Sequence, residues 1–228
     1  MTRIVRTLIA TLLICFSLNT MAVTTTDTPS APTYYSKYFS FILGTSNISR
    51  IAKRDNDGNF VYKHTENFPI NGGLAFGYYF NPNWHAEISG LYIDADSDRF
   101  NVNDVSPAGL SGGVTFFTTM LTGVYELRQY FDTLVPFAGM GVGATQVIES
   151  VKTRSNYSLK GNQITPAAQG IIGIDYHADT QLTVSVSYHI LMTGNVNLDL
   201  KDANTVVHTL PNHYTVQMYH LTFTYHFD

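Results

Sequence analysis

The sequence predicts an all-β protein, an eight-stranded antiparallel up-and-down transmembrane β-barrel. In the C-terminal run 219–227, aromatic and aliphatic residues alternate with His and Thr, which is the period-2 pattern of a strand with one apolar and one polar face. Seven segments upstream show similar alternation. Charged residues make up only 13% of the chain, against roughly 25% in soluble domains. Together these observations favour a barrel that crosses a membrane with strands of roughly 9–11 residues.

Residues 1–22 have the composition of a secretory signal peptide. Arg3 and Arg6 supply the positive start, residues 8–18 form an apolar stretch, and Ala22 precedes the expected cleavage point. The apolar stretch is much shorter than the roughly 20 residues that a membrane-spanning helix needs. A signal peptide is therefore the better interpretation than an anchor.

The remaining chain divides into a short lead-in and one domain. Residues 23–36 are rich in Thr and Pro and are predicted to be flexible, and 37–228 form the barrel. Without the signal peptide, two of the 13 basic residues are lost, which leaves 11 basic against 17 acidic residues and no cysteine. Disulfides and thiolate metal sites are thereby excluded, and the lack of a basic stripe makes a nucleic-acid partner unexpected.

The first four predicted strands each carry an apolar face in steps of two. They span 37–46, 72–80, 84–94 and 115–130. Their apolar faces are, in order, Phe39, Phe41 and Leu43; Leu74, Phe76, Tyr78 and Phe80; Trp84, Ala86, Ile88 and Tyr92; and Phe117, Leu121 and Tyr125. The alternate positions are Gly, Ala, Ser, Thr and a few charged residues.

The last four predicted strands repeat this pattern. They span 135–147, 165–176, 181–191 and the terminal run that ends at 227. Their apolar faces are, in order, Ala138, Met140, Val142 and Ala144; Ile172, Ile174 and Tyr176; Leu182, Val184, Val186, Tyr188 and Ile190; and Tyr219, Leu221, Phe223, Tyr225 and Phe227. An even number of strands allows an antiparallel barrel.

The connections between these strands alternate in length. The short ones are 81–83, 131–134 and 177–180, and the long ones are 47–71, 95–114, 148–164 and 192–213. Outer-membrane barrels have short periplasmic turns and long external loops. We therefore expect the four long loops outside a Gram-negative cell and both termini in the periplasm.

The composition of the two faces predicts which one points outward. A lipocalin-like secreted barrel with an apolar interior is the alternative, but its water-facing coat should be rich in Lys and Glu. The polar faces here are mostly Gly, Ser and Thr, which suit a narrow lumen, and aromatic residues cluster near strand ends as interfacial girdles do. The predicted lipid-facing and girdle residues include Trp84, Tyr176, Tyr188, Phe223, Tyr225 and Phe227.

Three segments resemble a known family. They are Gly77-Tyr78-Tyr79-Phe80-Asn81-Pro82-Asn83-Trp84 through Glu87, Pro136-Phe137-Ala138-Gly139-Met140-Gly141-Val142-Gly143, and the end Tyr225-His226-Phe227. The chain from about 37 to 227 is similar to eight-stranded outer-membrane barrels of the OmpA-like and Opa-like kind. The resemblance implies that the C-terminal strand is recognised by the barrel-assembly machinery, although Asp228 follows the terminal aromatic here. It implies a barrel class and no single activity.

Several polar residues share the predicted lumen face. A charge inside a narrow barrel must be paired to offset its desolvation, so we expect a structural network of ion pairs and hydrogen bonds rather than a catalytic, cofactor or metal site. Its predicted members are His85, Glu87, Glu126, Arg128, Gln169, Asp175, His189 and His220.

The long loops carry the leading functional hypothesis, a structural and surface-interaction role of adhesin-like character. Polar loops on a rigid barrel suit contact with lipopolysaccharide and with host or envelope ligands. A lipid-modifying hydrolase at the barrel rim is an alternative, because His208 and His213 lie near Asp199 and Asp202, although no catalytic motif accompanies them. A narrow channel along the polar lumen is the third possibility.

Overall fold

The computed structural model describes residues 37–50, 63–66, 69–101, 110–128, 133–153, 157–179, 181–202 and 205–227. The predicted signal peptide and the flexible segment at 23–36 lie outside these residues. The described strands are β1 (Lys37–Arg50), β2 (Lys63–Glu66), β3 (Ile70–Asn81), β4 (Trp84–Asn101), β5 (Leu110–Glu126), β6 (Leu134–Thr153), β7 (Tyr157–His177), β8 (Leu182–Thr193), β9 (Val196–Asp202), β10 (Thr205–Asn212) and β11 (Tyr214–Phe227). No helix in the described ranges is long and apolar enough to span a membrane.

Eight of these strands close into an antiparallel barrel. β1 pairs with β3 on one side and with β11 on the other, the pairs β3–β4, β4–β5, β5–β6 and β6–β7 follow in chain order, and β8 joins β7 to β11. Every barrel strand therefore has a partner on both edges, as closure requires. The predicted fold class is confirmed.

Parts of the long connections that the sequence predicts as loops form strands in the structure. β2, β9 and β10 lie within segments predicted as loops, and β6 and β7 continue through most of 148–164, pairing as far as Lys152 and Ser158. In this hairpin Glu149 is buried and accepts a hydrogen bond from the Tyr214 hydroxyl, whereas Lys160 is exposed. The ladder therefore continues past the predicted strand ends with one covered and one open side, as antiparallel sheets commonly do. The predicted strand 115–130 also begins earlier and ends earlier, at Leu110 and Glu126.

The two faces of the barrel are arranged as predicted. Outward side chains are strongly exposed, for example Val142 at 66% and Val186 at 65%. Inward side chains are buried, for example Ser187 next to Val186 and Thr122 on the strand beside Val142. An apolar exterior around a lumen that is polar over part of its length is the reverse of a water-soluble barrel, so the faces argue for contact with lipid. Hereafter the end with the short connections is the turn end and the opposite end is the loop end.

Candidate functional site

The lumen changes character along the barrel axis. On β11 the inward residues from the turn end are His226, Thr224, Thr222 and His220, followed by Met218, Val216 and Tyr214. β4 and β8 change in the same direction, from His85 to Ile93 and from Ser185 to Leu191. The lumen thus has a polar half at the turn end and an apolar half at the loop end.

The apolar half is a packed cluster, which we call the apolar plug. Its members are Ile42, Ile48, Ala75, Leu91, Ile93, Ala95, Val114, Phe116, Met120, Val147, Ala167, Leu191, Val196, Leu198, Tyr214, Val216 and Met218. Val196 and Leu198 come from β9, within a segment predicted as a loop, and both are almost fully buried. The plug fills the lumen with side chains, as expected for an eight-stranded barrel.

The apolar plug is not predicted by the alternation of residues along the strands. Its signal was the presence of apolar residues on both faces of the loop-end halves of several strands, as in Tyr92-Ile93 and Phe116-Phe117. A strand that faces lipid on one side and the apolar plug on the other has apolar residues on both faces, so apolar and polar residues no longer alternate along it.

Glu126 organises the turn end of the polar half. This fully buried carboxylate at the end of β5 accepts a hydrogen bond from the Tyr79 hydroxyl at 2.6 Å and lies 3.1 Å from Nδ1 of His85. Nε of Arg128 also donates to it, and Nη2 of Arg128 donates to the Tyr79 hydroxyl at 3.3 Å. Asn83 anchors the adjoining turn by donating to the Glu126 carbonyl at 2.8 Å. Three side chains therefore surround one buried negative charge, and Asn83 ties the turn to the backbone of the same residue.

The other two carboxylates of the polar half, Glu87 and Asp175, have neutral partners. The Tyr38 hydroxyl donates to Glu87 at 3.1 Å, and the Ser185 hydroxyl donates to Asp175 at 2.5 Å. Gly77 leaves the space that the Tyr38 ring occupies, because a Cβ there would fall on the ring. Within the described part of the chain, neither carboxylate forms an ion pair with a lysine or arginine.

Histidine and hydroxyl side chains complete the polar half. The Thr183 hydroxyl lies 2.8 Å from Nδ1 of His177 and 2.9 Å from Nε2 of His226. The hydroxyls of Ser40 and Thr224 lie 2.8 Å apart. These contacts link the neighbouring strands β1, β7, β8 and β11 along the lumen wall.

The middle of the lumen holds the last three predicted members of the network. Gln169 donates to the Thr122 hydroxyl at 2.6 Å, and Nε2 of His189 lies 2.9 Å from the Ser187 hydroxyl. The His220 ring lies against His189, with 4.3 Å between ring centroids. All eight predicted residues face the lumen, but they form several separate groups rather than one network, because strand stagger separates their heights along the axis.

The predicted lipid-facing residues lie on the outer surface. Trp84 contacts Tyr125, and Tyr225 stacks on Phe227, both close to the turn end, where Tyr176 also lies. Phe223 lies one step further along the same face of β11. Tyr188 differs, since it contacts Tyr219 well inside the strands, with centroids 5.2 Å apart.

The structure describes only some of the side chains on which the hydrolase alternative depends. His213 is half-buried beside β10, and the side chain of His208 lies outside the described set. Ser187 and His189 are a hydrogen-bonded Ser–His pair, but this pair lies inside the lumen and not at the rim.

Comparison with known proteins gives the fold. No protein-family model and no curated protein matches the sequence. The chain is similar to the solved structure of the outer membrane protein OprG from Pseudomonas aeruginosa, with 17% identity, a TM-score of 0.61, and coverage of 87% of this chain and 99% of that one. Neisserial surface protein A is similar with 13% identity, a TM-score of 0.52, and coverage of 84% and 97%. A major outer membrane protein from Thermus thermophilus matches with 10% identity, a TM-score of 0.52, and coverage of 85% and 100%. The fold is that of outer-membrane β-barrels, and at these identities the likeness carries no activity.

Proposed function

We propose that this protein is a closed outer-membrane barrel that acts through its loop end, as a structural and surface-interaction protein of adhesin-like character. The observation that carries the proposal is the length of the β6–β7 hairpin. The strands have 20 and 21 residues, about twice what a membrane crossing requires.

The excess length supports a rigid platform beyond the membrane. Strands rise about 3.4 Å per residue and tilt by about 40°, so this hairpin extends on the order of 20 Å past an apolar band of about 25 Å. β9 pairs with the end of β7, and β10 pairs with β9. A paired sheet presents fixed side chains to a partner at a lower entropic cost than a flexible loop does.

The apolar plug inside the lumen also supports this proposal. A lumen filled by packed apolar side chains offers no wetted path between the polar half and the loop end. The narrow channel predicted as an alternative is therefore the weaker candidate. The hydrolase alternative has no feature among the described residues that favours it.

The proposal includes an orientation in the membrane. Short turns and both chain ends are assigned to the periplasm and the loop end to the cell exterior, as in other outer-membrane barrels. The partners proposed there are lipopolysaccharide sugars and host or envelope molecules. The outer-membrane lipids contact the apolar belt, and the assembly machinery contacts β11.

Shortening the platform tests this proposal. Ser150 and Lys160 are register partners, so residues 151–159 can be replaced by Asn-Gly, a turn that matches the twist of paired strands. Cells that display the full chain should bind surfaces coated with lipopolysaccharide or with matrix glycoproteins. We expect the shortened variant to bind at least tenfold less, because the presented sheet is lost while the plug and Glu149 are kept.

A matched control changes the opposite end of the barrel. Pro82→Ala alters the turn between β3 and β4 and should leave the binding of cells unchanged. Equal binding by the shortened variant and the full chain, with both proteins folded in the outer membrane, would contradict a function at the loop end.

A further inference from the structure

Two histidine side chains meet in the middle of the lumen, at the boundary between the polar half and the apolar plug. The rings of His189 on β8 and His220 on β11 have centroids 4.3 Å apart, and the two residues are only 8% and 2% exposed. Among the described residues, Nδ1 of His189 and both ring nitrogens of His220 have no hydrogen-bond partner. Buried polar atoms are rarely left without a partner, which points to a ligand at these nitrogens.

A thioether lies beside the two rings. Met218 is the register partner of His189, and it is fully buried on the same face of β11 as His220. Directly opposite residues on antiparallel strands have Cβ atoms about 4.5–5.5 Å apart, and the unbranched methionine side chain adapts easily to its neighbours. One sulfur and two imidazole nitrogens can therefore approach a common point.

Oxygen atoms next to the two rings suit a supporting role. Nε2 of His189 lies 2.9 Å from the Ser187 hydroxyl, which leaves Nδ1 as the free nitrogen of this ring. A Cβ at Gly44 would lie 2.5 Å from Oδ1 of Asn71 and 2.5 Å from Cδ2 of His220, so these two side chains meet over the glycine. Histidines that bind a metal ion are usually oriented by an oxygen at their second ring nitrogen. Both histidines have such an oxygen nearby.

The chemistry of the donor atoms distinguishes between kinds of metal ion. Imidazole binds several transition metals, whereas a thioether selects soft ions such as Cu⁺. Among the described residues, no group of three His, Cys, Asp or Glu side chains could hold a metal ion. Zn²⁺ sites usually have four such ligands or three and a water, and Ca²⁺ needs six to eight oxygens. Two imidazoles and a thioether, with no carboxylate among them, instead fit a soft monovalent ion.

We infer that His189, His220 and Met218 form a binding site for a soft monovalent metal ion of the Cu⁺ type. The site is separate from the loop-end surface and does not depend on the function proposed there. It adds a ligand role to two histidines for which the sequence predicts only a structural one. A cavity of about 70 Å³ in the polar half borders His189, and Tyr79 and His226 line the same cavity near the turn end. The ion enters from the turn end, because the plug closes the other end.

Titration with Ag⁺ tests the inference, because this ion shares the ligand preference of Cu⁺ and keeps one oxidation state in air. The full chain, labelled with ¹³C at the methionine methyl groups, is folded in detergent micelles and titrated with silver nitrate in chloride-free buffer. We expect the NMR signal of the Met218 methyl group to shift and to saturate at one equivalent of Ag⁺. The signal of Met192, which is 54% exposed on the outer face, should not shift at this ratio.

Variants of the ligands show whether these side chains hold the ion. His220→Phe and Met218→Leu each replace a ligand by an apolar group of similar size, so each should bind Ag⁺ at least tenfold more weakly in isothermal titration calorimetry. Met192→Leu and His213→Gln change the same residue types away from the site and should bind as the natural chain does. Heat-dependent gel mobility shows that each variant is folded.

Three results would overturn the inference. The first is a Met218 methyl signal that shows no saturable shift with Ag⁺ up to about a tenfold molar excess. The second is unchanged Ag⁺ binding by both His220→Phe and Met218→Leu, which would place the ion elsewhere. The third is saturation of the site by Zn²⁺ or Ca²⁺ without competition from Ag⁺, which would rule out a preference for a soft ion.

Discussion

Replacing Glu126 by Ala is expected to destabilise the barrel by about 3 kcal/mol. Removing one partner of a buried charge pair leaves the other partners unsatisfied, which typically costs about 3–5 kcal/mol. The lower end applies here because the Arg128 side chain is 17% exposed and can recover some hydration. Tyr79 also loses its acceptor, and His85 loses its charged neighbour. Urea unfolding of the protein in phospholipid vesicles measures the change.

The control for this experiment is the exposed carboxylate of Asp94. Asp94→Ala removes one surface hydrogen bond from Thr115 and should change the free energy of unfolding by less than about 0.5 kcal/mol. If the two variants unfold at the same urea concentration, Glu126 does not organise the turn end of the lumen.

Placing Arg at Leu121 is expected to destabilise the inserted barrel by about 2–4 kcal/mol. Leu121 is 60% exposed on the outer face and lies between Ile88 and Val142, five residues from the turn end of β5. At about 3.4 Å per residue this position is near the middle of the apolar band, where a basic residue on the lipid face is most costly. Equilibrium folding into lipid vesicles measures the effect.

The same substitution beyond the membrane provides the comparison. Asn162→Arg changes an exposed residue on the outer side of β7, next to Gln146, and should cost about 0–1 kcal/mol. Similar costs at the two positions would mean that the outer face is not in contact with lipid.

The strands and their faces could be predicted because apolar and polar residues alternate along a strand whose two sides face different environments. Val186 and Ser187 show this directly, since one faces lipid and the other faces a polar lumen. The rule holds wherever the two environments differ. It fails at Ile93 and Phe116, where both environments are apolar.

The arrangement of the lumen could be predicted only in part. The phase of each strand placed Glu87, Glu126 and Asp175 inside the barrel. Their partners depend on how far each strand is shifted along its neighbour, and no local pattern encodes that shift. Tyr38 and Tyr79, which hold two of these carboxylates, were therefore not singled out.

The plug and the polar half have complementary physical roles. Apolar packing at the loop end stabilises the lumen without requiring any precise pairing, and it excludes water from the end that bears the proposed contact surface. The hydrogen-bonded half at the turn end fixes strand positions through directional contacts. A plugged lumen is what we expect of a barrel that acts through its loop end rather than by conduction.

Conductance across a planar lipid bilayer is the most direct test of this closed lumen. The purified, folded protein is inserted into the bilayer, and insertion is verified by recovering folded protein from the membrane. We expect no channel currents, because the apolar plug separates the polar half of the lumen from the loop end. Stable stepwise currents from the natural chain would contradict the closed lumen and would make the barrel a channel.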